Sequence, residues 1–185
     1  MDINTAIFFQ IYNLSQKNPI LDALMIFGAD YLIYIVCLII LIFAITGKSK
    51  DKKAFILSIL GIGIALILTQ IIRIFFQLDR PFITYSITPL ISMNSSFNTF
   101  LGKILGPESF PSVHTLIISV ITFSYIYFKS KLAPFFIFSL VWIAFSRIYV
   151  GVHYPLDILG GILLGLLSVF LTVFLTLQLK KLLHV

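Results

Sequence analysis

Long apolar runs, broken only by short polar stretches, decide what this chain can fold into. They extend from Tyr31 to Gly47, Ala54 to Phe76, Pro111 to Phe128, Leu132 to Val150 and Pro155 to Leu179. As helices rising about 1.5 Å per residue, they match most or all of a hydrocarbon layer about 30 Å thick. The runs are continuous rather than alternating, which favours helices over a membrane-spanning β-barrel. With 59% hydrophobic and 11% charged residues and a mean hydropathy of +1.08, a soluble domain of 185 residues would have too little interior for its apolar surface. The expectation is an all-α integral membrane protein, a single domain spanning 1–185 built as a bundle of five or six transmembrane helices.

The N-terminal region is read differently. Asp2 to Leu14 place Ile3, Ala6, Ile7, Phe9, Ile11 and Leu14 on one face, in a stretch too short to span. An interfacial N-terminal helix is expected there. Asn18-Pro19 interrupts the chain, and Ile20 to Phe27 reads as a short apolar turn before the first span. Residues 1–28 are therefore expected to be interfacial or partly inserted. No basic region or small-residue cleavage site suggests a signal peptide. The single cysteine, Cys37, lies inside an apolar run; it has no partner for an internal disulfide and reads as a buried packing residue.

The net charge of +6 raises the question of nucleic acid, but its distribution points to membrane orientation, and no nucleic-acid partner is expected. Lys48, Lys50, Lys52 and Lys53 follow the first span, Lys129 and Lys131 the third, and Lys180 and Lys181 the fifth. Alternating crossings put these eight of the ten lysines on one side, which the positive-inside rule makes cytoplasmic. The opposite, extracytoplasmic side receives every arginine, Arg73, Arg80 and Arg147, together with His114, His153 and Asp157. Charged residues at mid-bilayer cost roughly 2.5–3.5 kcal/mol on insertion scales, so such a convergence marks a candidate site.

Its parts have distinct chemistry. Gly151 suits the left-handed residue closing one helix, and Pro155 the first turn of the next. His153 then falls in the turn between them, with Asp157 four residues on and within reach of one ring nitrogen. The alternative is that Asp157 only decorates a helix N-terminus and His153 is a surface residue. Arg73 and Arg80, seven apart, would share a helix face, where guanidinium groups grip phosphate oxygens in pairs; snorkelling to lipid headgroups is the alternative. Pro111 suits the first helical position of the third span, with Ser109 as its cap. The free N–H groups of Ser112 and Val113 would then cradle an anion, helped by the Ser112 hydroxyl, and His114 could donate a proton. Alternatively Ser112 merely caps and His114 packs. A metal held by two histidines and an aspartate is disfavoured, because three arginines repel a divalent cation.

Arg73-x6-Arg80-Pro81, Pro111-Ser112-Val113-His114 and Ser146-Arg147-x5-His153-x3-Asp157 resemble, in order and spacing, the three-part signature of the type-2 phosphatidic acid phosphatase superfamily. Arg73 stands where that pattern usually has lysine, and Val113 where it has glycine, which would narrow the pocket. The stretch Leu14-Ser15-x2-Asn18-Pro19-x-Leu21-Asp22-x2-Met25 is similar to bacterial undecaprenyl pyrophosphate phosphatases of the bacitracin-resistance type. The resemblance implies a lipid phosphatase needing no cofactor. His153 would be the nucleophile, Asp157 its orienting acid and His114 the proton donor. Arg73, Arg80, Ser112, Val113 and Arg147 would bind the phosphoryl oxygens. The implied substrate is undecaprenyl diphosphate. The alternatives are phosphatidylglycerophosphate, phosphatidic acid or lipid A, and, from another class, a non-enzymatic lipid or anion transporter on the same fold. The loop from Phe82 to Phe110, rich in apolar and aromatic residues, is a candidate lid.

Overall fold

A computed structural model describes residues 2–92 and 107–182, and all regular structure among them is helical. Helix α1 runs Ile3–Tyr12; α2, Pro19–Ile26, passes through a π-helical turn, Phe27–Tyr31, into α3, Leu32–Thr46. Then come α4 (Ser49–Phe75), the single turn α5 (Pro81–Thr84), α6 (Val113–Tyr127), α7 (Ala133–Tyr149) and α8 (Pro155–Leu182).

The stretch after Asn18 corrects the sequence reading. The segment Ile20 to Phe27 is not a turn but helix, continuous with the next, so one apolar helix extends over Pro19–Thr46. Local chemistry explains the start: the Asn18 side chain accepts from the N–H groups of Ile20 and Leu21, and Pro19 takes the first helical position. Ser49–Phe75 and Pro155–Leu179 are likewise long and apolar enough to cross a membrane. α6 and α7 are shorter. Of α6, every residue from Val113 to Thr122 is buried, so it is wrapped by protein rather than lipid and need not match the hydrocarbon thickness alone.

α6 is the hub. It packs on α4, α7 and α8. The α8 contact is close because Gly161 and Gly165 face it: a Cβ on Gly161 would meet the Ser112 carbonyl oxygen at 2.8 Å, and one on Gly165 the Ser119 Cβ at 2.6 Å. Small residues four apart let helix backbones approach this way in membranes. The core proper joins Leu32, Ile33, Val36, Ile117, Ile121, Phe136 and their neighbours. Large apolar side chains such as Leu38, Leu41, Ile67, Val141 and Leu163 remain exposed, a surface suited to lipid tails. Cys37 belongs to that outward face and is exposed, contrary to the expectation of burial, since a spanning helix has a lipid side as well as a core side.

The two ends of the bundle differ. At one end Lys50 Nζ donates to the Lys129 carbonyl (2.9 Å), and Ser130 Oγ donates to Asp51, which also accepts from the Lys48 N–H (3.1 Å). These bonds hold the lysine-bearing breaks after α3 and α6 side by side. At the other end α1 packs against α7 and α8. Phe8 is fully buried there, stacked with Tyr12 and tilted against Tyr154. The Tyr12 hydroxyl donates to the Thr88 carbonyl at 2.9 Å. Much of the expected lid between Phe82 and Phe110 falls on residues 93–106, outside the described residues.

Candidate active site

The site lies at the end of the bundle opposite the lysines. It begins with the turn after α7. That helix stops at Tyr149, and Gly151 follows at φ +86°, a left-handed conformation that glycine adopts without a Cβ clash. Pro155 opens α8. Asp157, at the third helical position, reaches back and accepts from the Tyr154 N–H at 2.8 Å, as the acid of a capping box does. Asn4, from α1, accepts from the Leu156 N–H at 2.9 Å. The helix start is therefore held from both sides.

That geometry aims the Asp157 carboxylate at His153, whose Nδ1 is 3.3 Å from Asp157 Oδ2. The same oxygen accepts from Ser109 Oγ, whose hydroxyl is also 3.4 Å from His153 Nδ1. Both His153 and Asp157 are buried. Burial pushes the His153 imidazole well below its ordinary 6.5, and the positive charges of Arg80, Arg147 and Arg73 push it further the same way. At neutral pH the ring is uncharged. With its Nδ1 proton directed to Asp157, Nε2 keeps a free lone pair.

The second motif meets the third through main chain. The Ser112 N–H donates to the Asp157 carbonyl at 3.0 Å. This overturns two expectations. Ser112, not Ser109, is the N-cap of α6, which starts at Val113, so Pro111 lies before the helix. The Ser112 N–H is already taken and cannot join an anion cradle; of the two amides expected, Val113 alone heads the helix. The Ser109 hydroxyl instead donates to the Asp157 carboxylate. The Val113 side chain joins the apolar core with Leu32 and Ile33, so its extra bulk goes inward rather than narrowing the pocket. His114 is buried in the first turn of α6, near the positive charges of Arg147 and Arg80.

The arginines are held differently. Arg73, buried at the end of α4, braces the approach to α6: it donates to the carbonyls of Phe110, Glu108 and Pro111, each at 3.2 Å. Its Nη1 lies 3.7 Å from Glu108 Oε2. Arg80 is half-buried, beyond the end of α4 rather than on it, so a shared helix face does not align it with Arg73. Its Nε donates to the Pro107 carbonyl at 3.1 Å. Burial, then the neighbouring charge of Arg73, lowers it to about 10, which still leaves it charged at neutral pH. Arg147 is 1% exposed and donates to the Ala29 carbonyl at 3.1 Å.

A cavity of about 760 Å³ adjoins Asp157, walled by Phe76, Tyr85, Phe110, Tyr154 and Leu156 and closed on one side by α1. Among the described residues no three His, Cys, Asp or Glu side chains are grouped as a metal site would need. Sequence reasoning assigned Ser109 the wrong role and passed over Glu108 and Asp30. Asp30 did carry a signal, since an acid inside an apolar run is a default site candidate.

A model of the PAP2 superfamily matches residues 54–181, which contain all three motifs. The chain is 32% identical over 162 residues to the undecaprenyl-diphosphatase BcrC of Bacillus subtilis, covering 86% of this chain and 77% of that one. It is 29% identical over 165 residues to the putative undecaprenyl-diphosphatase YbjG of Escherichia coli, covering 89% and 78%. Among solved structures, the fold resembles LpxE of Aquifex aeolicus, with a TM-score of 0.68 at 23% identity, covering 94% of this chain and 96% of that one. It also resembles a PAP2-type phosphatidylglycerolphosphate phosphatase of Bacillus subtilis, with a TM-score of 0.62 at 21% identity, covering 98% and 90%.

Proposed function

The chain belongs to the PAP2 superfamily of membrane lipid phosphatases, and from that premise we propose that it hydrolyses undecaprenyl diphosphate to undecaprenyl phosphate and inorganic phosphate. The observation that carries the chemistry is a buried His153 whose Nδ1 faces the Asp157 carboxylate at 3.3 Å. The diphosphatase names of the relatives carry the choice of lipid.

In this reading His153 Nε2 attacks the terminal phosphorus. The bond from phosphorus to the bridging oxygen breaks, and His114, charged once the bound diphosphate offsets the arginine charges around it, gives that oxygen its proton as undecaprenyl phosphate leaves. Asp157 stabilises the positive charge that grows on the phosphorylated imidazole. Water, deprotonated by His114, then attacks the phosphohistidine and releases phosphate, restoring both rings. Arg80, Arg147, the Val113 N–H and the Ser112 hydroxyl hold the non-bridging oxygens. Arg73 adds charge and keeps residues 108–111 in place. The guanidinium groups supply the positive charge that a metal gives other phosphatases, so we read the reaction as metal-independent. The cavity beside Asp157 would receive the start of the polyprenyl chain.

We read the helices Pro19–Thr46, α4, α6, α7 and α8 as five crossings of the plasma membrane, α1 as lying at the interface, and the site as extracytoplasmic. The lysine-rich end supports this orientation.

The test is phosphate release from purified protein over undecaprenyl diphosphate, phosphatidylglycerophosphate, phosphatidic acid and lipid A, with and without a chelator. Preference for undecaprenyl diphosphate, abolished in His153→Ala, is expected. Equal release by the parent and His153→Ala would end the phosphohistidine reading.

A further inference from the structure

Arg147 heads the largest fully buried side chains among the described residues. A guanidinium so placed needs partners, because a buried charge without them is unstable. Its Nη1 donor goes to the Ala29 carbonyl, in the π-helical turn Phe27–Tyr31. There the Leu32 N–H bonds five residues back, to the Phe27 carbonyl, rather than four. Such one-residue bulges in otherwise regular helices recur at functional sites.

The turn is pressed onto α7 next to Arg147. A Cβ on Gly28 would lie 2.4 Å from Ser146 Oγ and 2.5 Å from Trp142 Nε1. Asp30, one residue beyond Ala29, is an acid within a long apolar helix, and its charge acts on the Arg147 guanidinium. Arg147 Nε is buried and has no hydrogen-bond partner among the described residues. The guanidinium is thus gripped at one nitrogen while another, also buried, lacks a partner among the described residues.

We propose that the Phe27–Tyr31 turn is a positioning element of the phosphate site: the Ala29 carbonyl holds the Arg147 guanidinium from behind, with the Asp30 carboxylate adding charge at longer range, leaving the remaining donors of Arg147 for a phosphoryl oxygen. The proposal rests on the reading of Arg147 as a phosphate ligand. Asp30 does not touch the reacting atoms; it acts through Arg147.

The experiment measures orthovanadate inhibition and the kinetics of phosphate release from undecaprenyl diphosphate for Asp30→Asn, Asp30→Glu, Arg147→Lys and the double variant Asp30→Asn/Arg147→Lys. Leu38→Ala, on the exposed face of α3, is the control expected to match the parent. By analogy with residues behind metal ligands, Asp30→Asn should weaken orthovanadate inhibition and kcat/KM roughly tenfold, and Asp30→Glu should recover most of it. The double variant should be little worse than Arg147→Lys alone, because both changes break one device. Orthovanadate inhibition of Asp30→Asn within about twofold of the parent, or full additivity in the cycle, overturns the proposal. Where Asp30→Asn does not fold, Gly28→Ala, which forces the turn off α7, carries the test; parental orthovanadate inhibition there overturns it equally. Unchanged inhibition in Arg147→Lys would instead overturn the reading of Arg147 as a phosphate ligand.

Discussion

Ser109 donates its hydroxyl to Asp157, on the oxygen that also faces His153 Nδ1. A residue from the segment before α6 thereby helps to aim an acid on α8. Removing it leaves the buried carboxylate short of a donor, a loss of about 1.5–3 kcal/mol for a bond to a charged group. Ser109→Ala is expected to lower kcat about tenfold or more with a small change in KM, and Asp157→Asn to lower it by roughly 10³–10⁴, as in other His–Asp pairs. Steady-state kinetics on undecaprenyl diphosphate check both.

Arg73 should behave less like a substrate ligand than Arg80 does. Three of its bonds go to main-chain carbonyls between Glu108 and Pro111. Lysine is a point donor and cannot reproduce that fork. Arg73→Lys is expected to lower Tm by about 4 °C or more, the effect of 1–2 kcal/mol in a protein of this size, and to reduce kcat. Arg80→Lys should leave Tm nearly unchanged and raise KM. Thermal unfolding in detergent, alongside kinetics, separates the two.

The lowered His153 makes a signed pH prediction. The native state resists protonating this ring, whereas the unfolded chain takes up the proton near 6.5. The stability tied to the neutral ring is therefore complete above about 6.5 and declines as pH falls below it towards the native value. The acid limb of kcat/KM, which reports the free enzyme, should likewise lie below 6.5. Arg80→Gln removes one of the charges that depress the ring, so the limb should move to higher pH. A limb that stays put or moves down would contradict the electrostatic account.

The seam between α6 and α8 predicts a contrast between glycines. Gly161→Ala would drive a methyl group into the Ser112 carbonyl at 2.8 Å and the Leu116 nitrogen at 3.2 Å, both main chain. The helices must part, weakening the Ser112–Asp157 bond across them. A stability loss of about 1–3 kcal/mol and a fall in kcat are expected. Gly63→Ala meets nothing within 4 Å and should be close to neutral or slightly stabilising. Denaturation midpoints and phosphate release of the two variants decide it.

Class, helix positions and motif order were legible in the residues themselves, because they depend on local properties. An apolar run must become a helix in lipid. Gly151 before Pro155 ends one helix and opens another. A four-residue spacing brings Asp157 to His153. What the residues could not disclose is where each polar group finds its partner across the bundle. Ser109 looks like a cap until the Asp157 carboxylate is brought beside it, and the Ser112 amide looks free until the carbonyl of Asp157 takes it. Cys37 looks buried until α3 is turned to show which side meets lipid. Ile20 to Phe27 looks like a break until Gly28 packs on Trp142 and Ser146 and the helix runs through. Each depends on the rotation and separation of neighbouring helices. Those are settled by side-chain packing between segments far apart in the chain, which no local pattern encodes.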